Sequence, residues 1–436
     1  MKRILALALT LILAGLIVTE SVAQTVVIQA QVKAELAAER VLPQPPAHSQ
    51  LTPKEVAEGW IALFDGETTF GWHSPNGSKW TLVEGMLAPQ AEKPGLLVST
   101  TAFRDCELKL QYRIRRGSKV EVRVGCNSEG KADPTGTNHL QAYGDGWFET
   151  LVHVRNSRVV NSETYSLGGG PRTATAVKES RNTKEEPSNP AGHIALSGNE
   201  VIFRSIKLQP VNTKPLFNGK DLTGWKKYES DVKRAKSTFA VSPEGWLTIK
   251  DGPGDLQTEG QWADFLLQIE CKTNGKNLNS GVFFRCRPGE YQNGYEAQIH
   301  NGWGETPKEY LVDEYDPKTH ELKEKKKVQS LALDYGTGAI YRRIPARKAV
   351  AKDDEWFTMT VLAQGNHLAT WVNGVQVVDW TDNRPLADNA RNGCHLEKGP
   401  ISLQGHDPTT NLAFRNIRIA DLTTTKREEP RPEKKD

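Results

Sequence analysis

From residue 51 onward the chain alternates apolar and polar residues in short runs that end at Gly, Asn, Asp or Pro, as in Glu107-Leu108-Lys109-Leu110-Gln111-Tyr112 and Ala369-Thr370-Trp371-Val372. A period of two predicts β-strands with one face toward a core. Asn373-Gly374, between Trp371-Val372 and Val375–Val378, predicts a two-residue hairpin, because type I′ geometry needs positive φ at both positions. Long helical periodicity is absent after the N-terminus. One short helix is predicted at Pro53–Gly59, with Thr52 as N-cap, Pro53 at the first helical position and Glu55 completing a capping box. Many short strands with apolar faces to cover imply an all-β chain of jelly-roll sandwiches.

The same order of elements occurs twice. Leu63-Phe64-Asp65-Gly66 followed by Gly71-Trp72 returns as Leu216-Phe217-Asn218-Gly219 followed by Gly224-Trp225 at the same internal spacing. Each start is followed by an apolar strand (Cys106–Ile114, then Phe265–Cys271), a polar turn and a second strand (Val120–Cys126, then Gly281–Arg287). A Trp-Phe strand (Trp147-Phe148, then Trp356-Phe357) and a closing pair complete each unit. The division that follows is 60–210 for a first sandwich and 213–422 for a second, with a linker and short helix at 24–59 and a disordered charged tail at 423–436. The second unit is longer, and its surplus lies between Gly294 and Lys352, where a shared scaffold commonly acquires binding and catalytic features.

Composition narrows the function classes. A length of 436 residues predicts more than one domain, and a net charge of +3 with acidic and basic residues interleaved argues against nucleic acid as a partner. Lys2 and Arg3 precede an apolar run from Ile4 to Val18, and Ser21-Val22-Ala23 supplies small residues for cleavage. This is a signal peptide, 1–23, with export to the periplasm or beyond and no stable membrane span after its removal; the run is shorter than the ~20 residues a spanning helix needs. Five cysteines, an odd number, leave at least one thiol unpaired. Cys106 and Cys126 form a diagonal pair across the predicted hairpin around Arg116-Gly117-Ser118, which favours two buried thiols over a disulfide. No CxxC spacing occurs, so cysteine does not build a metal site.

Candidate chemistry concentrates in the second unit. On the strand Gly294–His300, Glu296, Gln298 and His300 share one face; on the strand before it, Phe283, Arg285 and Arg287 share a face. Acids, amides and guanidinium groups beside an aromatic ring hydrogen-bond hydroxyls and stack a sugar; the competing account is a solvated face laced by ion pairs. In the turn Gln404-Gly405-His406-Asp407-Pro408, His406 beside Asp407 is an acid, base or metal ligand, or else Asp407 only caps the turn. Glu309, Asp313, Glu314, Asp316 and His320, with Lys325-Lys326-Lys327, predict a flexible charged flap. Comparing units, Arg123 aligns with Arg285, His139 with Glu296, Gln141 with Gln298, Asn199 with His406 and Glu200 with Asp407. On this alignment the first unit is a binding or structural domain and any catalysis sits in the second.

The motifs Leu216-Phe217-Asn218-Gly219-Lys220-Asp221-Leu222-Thr223-Gly224-Trp225, Asn279-Ser280-Gly281-Val282-Phe283-Phe284-Arg285, Gly294-Tyr295-Glu296-Ala297-Gln298-Ile299, Trp371-Val372-Asn373-Gly374 and Ile401-Ser402-Leu403-Gln404-Gly405-His406 resemble those of the 3-keto-disaccharide hydrolase family, in order, from Lys214 to about Leu422. The first unit resembles the family only at its ends. The resemblance implies two tandem concanavalin A-like sandwiches and a carbohydrate partner, a glycoside already oxidised at C3. It implies Glu296 or His406 as the base, Arg285 at the ketone, and Gln298, His300, Arg287, Phe283 and Trp371 as substrate contacts. A divalent metal on Glu296, His406 or Asp407 is the one cofactor it admits. A non-catalytic, lectin-like protein is the alternative.

Overall fold

A computed structural model describes residues 51–90, 94–115, 117–140, 146–168, 173–176 and 189–424. The predicted signal peptide, the linker to residue 50, Arg116, Gln141 and the tail from 425 lie outside them. The short helix forms over Pro53–Ala57 with both capping-box bonds, Thr52 to the Glu55 amide and Glu55 back to the Thr52 amide. Everything else of length is antiparallel β-structure.

Each unit is a sandwich of an eight-stranded and a five-stranded sheet with the same strand order. The smaller sheet runs Trp72–His73, Gly95–Phe103, Gly192–Gly198, Val120–Cys126, Thr137–Leu140 in the first unit. In the second it runs Trp225–Lys227, Gly254–Thr258, Ser402–Gly405, Ser280–Phe284, Tyr295–Ile299. The alternating pattern explains the first core: along Cys106–Ile114, Cys106, Leu108, Leu110, Tyr112 and Ile114 point inward while the residues between them are half exposed. The equivalent strand Phe265–Thr273 is buried on both faces. Its outer side lies against the first unit, so that Leu266, Leu362, Ala369, Trp371, Ala420 and Leu422 belong to the first unit's hydrophobic cluster.

Trp371 is therefore not a sugar contact. It is fully buried between the units, packs 6.3 Å from the Phe103 ring and donates from its indole N–H to the Ala62 carbonyl at 3.3 Å. The predicted hairpin at Asn373-Gly374 forms beside it, with φ of 49° and 76°, and the Gly374 carbonyl accepts from the Ala62 amide at 2.8 Å. A side chain at Gly374 would meet Leu51 and the Trp60 carbonyl, so the turn also needs glycine for space. Asp65, the acid of the first start motif, accepts from Arg347 at 2.7 Å and Lys348 at 3.3 Å. Its counterpart Asn218 is exposed and caps only its own loop.

Two expectations are corrected here. The charged segment is not a loose flap: Trp303–Tyr315 and Leu322–Ala332 pair as a two-stranded ribbon, with Lys325 opposite Asp313 and Lys327, opposite Leu311, reaching diagonally to Glu309 at 3.0 Å. His320 at its end contacts the Asn383 carbonyl. The pairing between units also differs. Leu196 opposite Val122 corresponds to Leu403 opposite Val282, which sets Arg123 at the place of Phe283, Thr137 at that of Glu296 and His139 at that of Gln298. Sequence matching had anchored on the arginine, whereas the sheet register is set by the glycine pairs Gly95–Gly198 and Gly254–Gly405. All five cysteines are free and buried.

Candidate active site

The five-stranded sheet of the second unit turns Leu256, Leu403, Val282 and Ala297 into its core, so the alternate residues face outward. Its pairings put Asp255, Gln404, Gly281 and Gln298 in one cross-strand row and Gln257, Ser402, Phe283 and Glu296 in the next. An outward face would normally be wet. Here Asp255, Gln298, Gln404 and Phe283 are buried, because the segment after the ribbon and the loop at 382–399 rise over the sheet. The result is a cleft of about 380 Å³ floored by Phe283, Glu296 and Gln404 and walled by Tyr341, Arg342, Arg343, Arg391 and His406.

Gly281 makes room for the acid. A methyl group there would come within 2.6 Å of Glu296 Oε1, so the carboxyl leans across the glycine toward the row of amides. No described residue hydrogen-bonds or ion-pairs with that carboxyl. Burial, with Asp334 adding to it, pushes Glu296 up to about 8 against the pull of Arg391 and Arg342. Asp255, also buried, is pushed up to about 7, although the Gln292 amide donates to its Oδ2 at 2.8 Å. Two buried amide oxygens on this face, Gln298 Oε1 and Gln404 Oε1, have no hydrogen-bond partner among the described residues, while the Ser402 hydroxyl lies beside the Asp255 carboxyl. Buried acceptors without donors are costly unless a ligand or water supplies them. This face is thus built to receive donors.

His406 stands at the rim, half-exposed, and its Nδ1 lies 2.9 Å from Asp407 Oδ2. With Asp407 accepting from Nδ1–H, Nε2 is left as the proton acceptor. Asp407 also caps the turn, since its Oδ1 accepts from the Thr409 amide at 2.7 Å, so both readings of this residue hold together. Asn279 and Gln298 are locked by Asp334, whose Oδ2 accepts from them at 2.7 and 3.1 Å. Asp334, Tyr335 and Arg342 all have positive φ, a strained backbone of the kind that collects at functional sites.

Of the residues anticipated, Glu296, Phe283 and His406 line the cleft, whereas Gln298 lies fully buried in the adjoining cross-strand row and does not line it. His300 lies past the strand end, where its Nδ1 accepts from the Gly302 amide, and does not line the cleft. Arg285 is excluded. The strand ends at Phe284, and positive φ at Arg285 turns its side chain inward, where it is fully buried and donates to the Ala263, Gly365 and His395 carbonyls and to Asp264. It pins loops together. Arg285→Ala is expected to destabilise the fold by about 3 kcal/mol, read by denaturant unfolding, while kcat of the folded fraction stays near wild type. Arg287 is exposed and pairs with Glu290 and Asp388. Arg342, Arg343, Arg391 and Asp255 were missed, because they come from an insertion, a distant loop and another strand.

Glu296, His406 and Asp407 do not fit a divalent metal: Asp407 spends both oxygens on Thr409 and His406, and no three His, Cys, Asp or Glu side chains among the described residues converge as ligands. No described helix is long and apolar enough to cross a membrane.

Comparison with known proteins follows this geometry. The profile of the 3-keto-alpha-glucoside-1,2-lyase-like domain matches residues 59–145 and 212–420, well over half of the chain. Among solved structures, a candidate glycosyl hydrolase from Parabacteroides distasonis ATCC 8503 is 26% identical, with 48% of this chain and 100% of that chain covered at a TM-score of 0.34. The carbohydrate-binding module CBM66 from Bacillus subtilis is 15% identical over 46% of this chain and 97% of its own, with a TM-score of 0.28. Beta-agarase B from Zobellia galactanivorans is 12% identical over 48% and 95%, also at 0.28. No curated protein matches the chain.

Proposed function

The chain belongs to the 3-keto-alpha-glucoside-1,2-lyase-like family, and from that premise we propose that it is an exported carbohydrate-active enzyme that cleaves 3-keto glycosides by elimination in the cleft of its second unit. The observation that carries the reading is the meeting, in one cleft, of an Asp407-oriented His406 and a half-buried Glu296 raised to about 8.

A ketone at C3 acidifies the C2 proton. His406 Nε2 takes that proton, and the electron pair moves onto the C3 oxygen, where the Arg342 guanidinium stabilises the enolate. The enolate collapses to the enone as the C1–O bond breaks, and the carboxylic acid of Glu296 protonates the departing oxygen. Water then adds to C1 with Glu296 as base, while protonated His406 returns a proton to C2. Gln404, with an oxygen awaiting a donor, holds a sugar hydroxyl over Phe283. This route does not need the two opposed carboxylates of ordinary glycoside hydrolysis.

The test is incubation of the mature protein with a 3-keto disaccharide and with its unoxidised parent, following released sugar by mass spectrometry. Cleavage of the keto substrate alone is expected. Binding of both without product would make the chain a lectin.

A further inference from the structure

The cleft of the second unit carries more positive charge than the elimination needs. Arg342, Arg343 and Arg391 all line it, and none forms an ion pair among the described residues. The only carboxyl on its lining, Glu296, keeps its proton at neutral pH. One guanidinium suffices for the enolate oxygen. The first unit provides an internal comparison, because the corresponding cleft there, about 500 Å³, is balanced: Arg123 lies 2.6 Å from Glu121, and Glu200 lies 2.8 Å from Arg115. The first cleft thus sets Glu121 and Glu200 against Lys119 and Arg123, whereas in the second three guanidinium groups face a single carboxyl, in a chain whose net charge is only +3.

The excess has a direction. Beside the cleft, sharing Gln292 and Arg391 with it, lies a second hollow of about 300 Å³ bounded by Arg234, Pro253, Tyr291 and Asn293. Arg391 spends its Nε on the Gln292 carbonyl at 2.7 Å, and its Nη groups meet no acceptor among the described residues. The Arg343 guanidinium donates to the Arg391 carbonyl at 2.8 Å and so steadies this loop. Arg234 lies over the Tyr291 ring, 4.9 Å from its centroid, with a loose contact of 3.6 Å to the exposed Asp231.

We propose that this adjoining hollow is the leaving-group subsite and that it takes an anionic aglycone, held by Arg234 and Arg391. The proposal rests on the elimination reading for what occupies the main cleft. Two guanidinium groups at the mouth of a partly enclosed hollow favour a carboxylate or a sulfate through charge-assisted hydrogen bonds, and they repel a cationic aglycone.

The test compares 3-keto glucosides of 4-(carboxymethyl)phenol and 4-(carbamoylmethyl)phenol, which match in shape and leaving-group acidity and differ in charge, with 4-(sulfomethyl)phenol as a third arm. For the wild-type protein, kcat/KM for the carboxylate is expected to exceed that for the amide by about tenfold through KM, and the gap should close as salt rises. Arg234→Gln should abolish the gap by raising KM for the carboxylate to that of the amide. The sulfonate arm tells whether the subsite reads any anion or a carboxylate alone. Equal kcat/KM for the two wild-type substrates, or a gap that survives in Arg234→Gln, would overturn the proposal. If the wild type cleaves none of the keto glucosides, the elimination reading fails by itself. Calorimetric binding of the unoxidised carboxylate and amide glucosides then decides the subsite, with tighter carboxylate binding that Arg234→Gln removes as support and equal binding as refutation.

Discussion

His406→Ala is expected to lower kcat on a 3-keto glycoside by about 10²–10⁴-fold with little change in thermal stability, because the side chain is half-exposed and bonds only to its neighbour Asp407. Glu296→Gln should reduce kcat by a comparable factor, since the amide retains the shape over Gly281 but has no acidic proton to give. The two variants differ in their pH profiles. Glu296 acts as an acid from a group raised to about 8, so its contribution is complete at neutral pH and is lost as the pH rises through that value. Wild-type kcat/KM should accordingly fall above about pH 8, and the fall should be absent in Glu296→Gln. A steep-rate assay across pH 6 to about 10 reads both effects. Should His406→Ala and Glu296→Gln both retain wild-type turnover, the chemistry lies elsewhere.

Trp371→Ala should cost about 3–5 kcal/mol, the largest stability loss of any single site named here. Its indole fills the seam between the two sandwiches, so the loss combines the transfer of a large aromatic surface with a cavity that neither sheet can close. Denaturant unfolding should show the drop in midpoint; an unchanged midpoint would mean that the seam does not exist in solution. Asp65 gives the same seam a pH dependence. Burial alone would raise its carboxyl, but the Glu67 amide, Arg347 and the Thr68 amide outweigh burial and hold it well below the usual carboxylate range. The stabilisation is therefore full above pH of about 4 and is lost as the pH falls below it. Asp65→Asn should flatten that part of the acid-unfolding curve.

Much of this architecture was readable before any coordinates. The alternating runs, the Asn373-Gly374 turn and the Thr52–Glu55 cap are local signals, and they form as their residue types require. Phe283, Glu296 and Gln298 were legible for the same reason, since parity along a strand assigns a face. Parity failed at Arg285, because a residue with positive φ leaves the pleat and the face it predicts is void. It failed for Trp371 in another way. Both faces of its strand are covered, and nothing local to Ala369-Thr370-Trp371-Val372 tells a seam between domains from a sugar platform. Arg391 and Arg342 carry no pattern at all; only the tertiary fold brings an irregular loop and an insertion to the same rim. Asp255 was hidden by its strand, which is too short and too buried to show alternation.

The seam also orders events in time. The first sandwich leaves the ribosome well before Ala420 and Leu422, yet these residues complete its apolar cluster. Until the last strand of the second sandwich is made, the N-terminal half presents a sticky, unfinished surface to its surroundings. A polypeptide stalled or nicked before residue 411 is accordingly expected to leave that cluster incomplete and to be more readily proteolysed than the full chain.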